Sequence, residues 1–115
     1  DIIDNVISVT GTLLDPKKFE EKGPFGALKK WMDEHANAFG FYLVYTNDSS
    51  RKGFYYEPWH YTYRPLSKPL LEEYRKLNIR SILKNENVLG YEHMLDTFIE
   101  KYTQENILDI NPLVK

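Results

Sequence analysis

Phe41-Tyr42-Leu43-Val44-Tyr45-Thr46 runs into Asn47-Asp48-Ser49-Ser50-Arg51-Lys52-Gly53, and then into Phe54-Tyr55-Tyr56-Glu57-Pro58-Trp59-His60-Tyr61-Thr62-Tyr63. The first segment is rich in aromatic and branched residues, the composition of a strand. The second is polar and reads as a turn. Phe54 to Glu57 returns as a second strand, so residues 41–63 are expected to form an antiparallel hairpin.

Moving outward, Phe25, Leu28, Met32, Ala36 and Phe39 fall on one helical face, and Gly40 supplies a left-handed stop. Asp15-Pro16 begins a short helix through Glu21, which Gly23-Pro24 ends. Residues 1–14 hold the apolar pairs Ile2-Ile3, Val6-Ile7 and Leu13-Leu14 and read as strand and loop. Beyond the hairpin, Pro65, Ser67 and Pro69 mark a switch to helix. Leu70, Leu71, Tyr74 and Leu77 make one amphipathic stretch, and Tyr91, Leu95, Phe98, Ile99 and Tyr102 another. The tail from Glu105 to Lys115 is expected to pack as coil. Helix, hairpin and then helices give an α+β class, a small antiparallel sheet flanked by helices, with residues 65–115 as a helical extension.

The 115 residues amount to one domain, and 42% apolar content is enough for a modest core. Nine tyrosines favour amphipathic clefts, since each brings an apolar ring and a polar tip. The net charge is −2 with both signs interspersed, so no basic stripe points to nucleic acid. With no cysteine, disulfides, thiolate zinc sites and cysteine nucleophiles drop out together. No run of about 18 apolar residues is present to span a membrane. Asp1-Ile2-Ile3-Asp4 opens in mid-pattern without an initiator methionine, and reads as the C-terminal part of a longer domain.

The chemistry concentrates at Glu57-Pro58-Trp59-His60. The residue before proline is pushed to extended backbone, and in a flat strand residues three apart point to opposite faces. Glu57 and His60 therefore converge only if Pro58-Trp59 bends or bulges the chain. A converged pair could supply a general base and one ligand of a catalytic metal, which takes three protein ligands and leaves a position for water. The same residues also fit a surface glutamate beside a hydrogen-bonded hairpin histidine. His35 and His93 have no carboxylate or histidine at ligand spacing. Ser49-Ser50 belong to a turn, with no nucleophile elbow or S-x-x-K motif around them.

Phe39-Gly40-Phe41, Tyr45, Gly53 and Glu57-Pro58-Trp59-His60, with Trp31 at its spacing before Gly40-Phe41, resemble the zinc D-alanyl-D-alanine (VanY-type) carboxypeptidases. The resemblance runs from about Trp31 to Tyr63. It implies Glu57 as general base, His60 as a Zn²⁺ ligand and Trp59 as a pocket-wall or supporting residue. The implied fold is shared with hedgehog signalling domains and related peptidases, and the implied substrate is a peptidoglycan stem peptide. The implied location is therefore periplasmic or extracellular. The family's other two ligands lie upstream, in a motif Ser-x-His-x-x-Gly-x-Ala-x-Asp. Asp1, followed by apolar Ile2, fits its final Asp, and Asp4 is the fallback. The upstream His and Arg of the family are absent from these residues. Thr62 stands where the family often has Arg, which leaves Arg64 as the candidate for binding substrate. A non-catalytic module that binds peptidoglycan or protein through the aromatic hairpin is the competing expectation.

Overall fold

The computed structural model describes residues 1–115. Asp15 caps a 3-10 turn over Pro16–Phe19 by accepting the Lys17 N–H, and Phe19 is buried from that turn. Helix α1 follows at Gly26–His35 and tightens into a 3-10 turn at Ala36–Phe39. Gly40 then ends it at φ 82°, the left-handed conformation in which a β-carbon is costly. The periodic face from Phe25 is thus helical as expected, with Phe25, Met32 and Ala36 buried.

The sheet has two strands, β1 at Phe41–Leu43 and β2 at Tyr61–Tyr63. They are antiparallel, with Phe41 opposite Tyr63, Tyr42 opposite Thr62 and Leu43 opposite Tyr61. The expected return strand at 54–57 is corrected by this pairing: those residues are not strand, and β1 pairs seven residues further along. Two facts explain the shift. Pro58 lacks an N–H and cannot donate to a ladder, and Arg51 and Lys52 tie the intervening loop to the C-terminal segment instead of to β1.

Helix α2 spans Arg64–Tyr74, with Pro65 in its first turn, as the prolines predicted. Helix α3 at Ile79–Asn85 was not anticipated; Asn78 caps it by accepting the Ser81 N–H. The late periodic stretch divides into a 3-10 turn at Tyr91–His93 and helix α4 at Asp96–Tyr102, which continues as a π turn over Thr103–Ile107. Residues 1–14 contain no strand. The molecule is α+β, with four α-helices beside a two-stranded antiparallel sheet.

Two small cores hold these elements. Phe19, Phe25 and Trp59 form one, with Val9 against it. Val44, Ile110 and Val114 form the other, joined by Tyr42, Tyr45 and Leu71. The tail, expected as coil, supplies two of those three buried residues. It is held by Asn111, whose backbone N–H donates to the Val44 carbonyl at 2.9 Å and whose Nδ2 donates to the Leu43 carbonyl at 2.7 Å.

Candidate active site

The Glu57-Pro58-Trp59-His60 segment is a tight turn, closed by the His60 N–H donating to the Glu57 carbonyl at 3.0 Å. Proline at its second position is the favoured choice, because its fixed φ is pre-set for that place. On either side the chain stays bonded to the residues that follow β1. The Val44 N–H donates to the His60 carbonyl at 2.9 Å, and the Glu57 N–H donates to the Tyr45 carbonyl at 3.2 Å. Pro58 and Trp59 are therefore looped out of the pairing, as in a bulge. This is the bend that the carboxylate and imidazole needed in order to meet.

They do meet. His60 Nδ1 lies 3.0 Å from Glu57 Oε2. Asp1 Oδ1 approaches the same nitrogen at 3.5 Å. Asp1 is brought there by its neighbour, since the Ile2 N–H donates to the Trp59 carbonyl at 2.8 Å. All three side chains are partly open to solvent, at 29% for Glu57, 38% for His60 and 48% for Asp1. Asp4, the fallback, lies in a local turn in which its carboxylate accepts the Val6 N–H.

Trp59 is only 7% exposed and its ring sits 5.4 Å from that of Phe19. It anchors the turn from behind, inside the core. Arg64 lies over the Tyr42 ring at 5.7 Å and makes no ion pair or hydrogen bond with Asp1, Glu57 or His60. His35 stands beside Trp31 and Glu34, and His93 beside Glu92.

The sequence marks Tyr45 as part of the family resemblance and of the aromatic hairpin, and gives neither it nor Arg51 a place beside His60. The Tyr45 ring stands edge-on to the His60 imidazole at 4.7 Å. Burial, and then the Glu57 carboxylate, push the Tyr45 hydroxyl above its ordinary range. Tyr45 lies two residues beyond β1 and its carbonyl accepts the Glu57 N–H, so its place was open to inference once that pairing was drawn.

The donor set can be tested against a metal. A tetrahedral zinc ion with bonds of about 2.0–2.2 Å sets its ligand atoms roughly 3.4 Å apart. The Asp1 Oδ1 to His60 Nδ1 separation of 3.5 Å suits two adjacent ligands of such a site. Carboxylate oxygen and imidazole nitrogen are also zinc's usual donors. No group of three or more His, Cys, Asp or Glu side chains is arranged to hold a metal.

A family model described as D-alanyl-D-alanine carboxypeptidase (VanY) matches residues 5–66. The chain belongs to that family. The match takes in β1, the turn and β2, together with Glu57 and His60, and ends at the start of α2. Asp1 and nearly all of the helical extension lie outside it. No curated protein and no solved structure matches the chain. At the coarse level, membership places the chain among peptidoglycan-related carboxypeptidases, a class of hydrolases. No helix is long and apolar enough to cross a membrane.

Proposed function

We propose that this chain carries part of the active site of a zinc-dependent carboxypeptidase that removes D-alanine from peptidoglycan stem peptides, on a hedgehog-like peptidase fold. Asp1 and His60 Nδ1 would hold the metal, and Glu57 would be the general base. The third ligand would come from the family's upstream His-containing motif, in a longer chain. The observation that carries this reading is the meeting of one imidazole nitrogen with two carboxylates, at 3.0 and 3.5 Å, on a Glu-Pro-Trp-His turn.

Bound there, zinc would supply a lowered pKa for water, toward about 7, and polarisation of the scissile carbonyl. The protein's own groups do the rest. To hold a metal through Nδ1, a neutral His60 would carry its proton on Nε2, which leaves the Glu57 carboxylate, 3.0 Å from Nδ1, ionised and free to act as a base. Glu57 takes a proton from water as its oxygen bonds to the carbonyl carbon. It passes that proton to the departing D-alanine nitrogen as the C–N bond breaks. A periplasmic or cell-surface location follows from such a substrate.

The test pairs metal content, read by native mass spectrometry, with D-alanine release from a stem peptide ending in D-alanyl-D-alanine. Glu57→Gln should lower turnover by about 10²–10⁴-fold and keep the metal. His60→Ala should lose the metal. Near-normal turnover in Glu57→Gln would remove the base assignment, and turnover by metal-free protein would remove zinc.

A second reading, a non-catalytic binding module, is favoured by one observation. Trp31 stacks on Phe39 at 6.0 Å and Phe41 packs on Tyr63 at 5.2 Å, with all four rings exposed around Gly40. Binding of purified peptidoglycan by Glu57→Gln protein, lost on Trp31→Ala and Phe39→Ala substitution, would favour it.

A further inference from the structure

An imidazole on a turn can present either ring nitrogen to its neighbours; a hydrogen bond selects the nitrogen, and what packs on the ring limits its rotation away from that bond. His60 has such a neighbour. The Tyr45 ring meets it edge-on, at 4.7 Å and 63° between planes. The same residue's carbonyl accepts the Glu57 N–H, so Tyr45 touches both partners of the site, one through its ring and one through its backbone. Tyr45 is in turn enclosed. Phe54 packs against it at 5.2 Å, and the Arg51 guanidinium lies 5.4 Å from its ring centroid. Arg51 is fixed by donating from Nη1 to the Asp109 carbonyl at 3.1 Å and from Nη2 to the Phe54 carbonyl at 2.5 Å. The series therefore runs from the C-terminal segment to the imidazole: Asp109, Arg51, Tyr45, His60.

We propose that Tyr45 is a positioning residue that holds the His60 ring with Nδ1 toward Glu57 and Asp1, and that Arg51, anchored on Asp109, holds Tyr45. An aromatic edge against the imidazole restricts its rotation, and a guanidinium over the aromatic face fixes that ring. The functional meaning rests on His60 acting as proposed above. The orientation itself does not, and it is read in metal-free protein.

The experiment is ¹⁵N NMR of the histidine rings, at a pH where His60 is neutral, with its signals assigned by their loss in H60Q. In the parent protein His60 should carry its proton on Nδ1, donated to Glu57, and show nuclear Overhauser contacts to the Tyr45 ring. Y45F keeps the ring and should leave the tautomer unchanged. Y45L should shift His60 to the Nε2–H form preferred by a free imidazole. A Y45L protein with native far-UV circular dichroism and an unchanged Nδ1–H signal overturns the proposal. Should Y45L not fold, R51M decides. Loss of the Nδ1–H form with Tyr45 in place supports the series, and an unchanged tautomer overturns it. Failure of the zinc reading would appear separately, as metal-independent turnover with the His60 tautomer intact.

Discussion

Trp59 shows how one side chain can serve a site without facing it. Its ring lies in the core with Phe19 and Phe25, so the turn it belongs to is pinned from below while Glu57 and His60 stay open to solvent. Trp59→Ala would leave a cavity in a core of three buried residues and should cost about 3–5 kcal/mol, read from the urea midpoint. Trp59→Phe should cost less, because it keeps an aromatic ring against Phe19. The Asp48 loop carries a second residue-scale consequence. The Ser50 hydroxyl, and then its N–H, bond the Asp48 carboxylate and hold its pKa below the ordinary value. A depressed carboxyl pKa means that this local order is present above the ordinary carboxylate range and is lost as pH falls through the folded value. Ser50→Ala should move the Asp48 titration back up, as followed by carboxyl ¹³C shifts.

At the scale of elements, the loop between β1 and the turn depends on a segment about fifty residues away. Gly53 passes so close to that segment that a β-carbon would overlap the Glu105 carbonyl oxygen. Backbone cannot yield there as the end of a flexible side chain can. Gly53→Ala should therefore detach the loop from residues 105–109, with loss of the Lys52 N–H bond to Asp109 Oδ2. Amide exchange at Lys52 should then rise toward that of an open loop, with β1 unchanged. Asn111, 8% exposed, closes the other side of β1. Asn111→Leu would strand the Leu43 carbonyl and remove the acceptor of the Leu113 N–H, at a cost of about 1–3 kcal/mol in thermal or urea unfolding.

The whole molecule is loosely gathered. Its radius of gyration is 17.0 Å, against about 13 Å for a compact chain of this length. Helices α2, α3 and α4 bury no residue, and both cores lie near the turn. Segments with few buried contacts open most readily. Hydrogen–deuterium exchange should therefore be fastest in α3 and α4 and slowest in α1 and at the β1–β2 pairing. Uniform protection across the chain would contradict this order.

Much of the site could be read from local chemistry. Pro58 demands a bend and disfavours a ladder, Gly40 ends a helix, and Phe25 to Phe39 repeat with helical period; these depend on neighbours within a few residues. The place of Glu57 beside His60 belongs to that class, as does the α+β order. Other features depend on pairings across the chain, which local patterns do not encode. The strand partner of β1 moved from 54–57 to 61–63 because a distant segment captured the loop. Asp1 reached His60 through the Ile2 bond to Trp59. The tail became core because Ile110 and Val114 found Val44, a contact between residues more than sixty positions apart. Such contacts are selected by which apolar surfaces can be buried together, and only the folded chain brings those surfaces within reach.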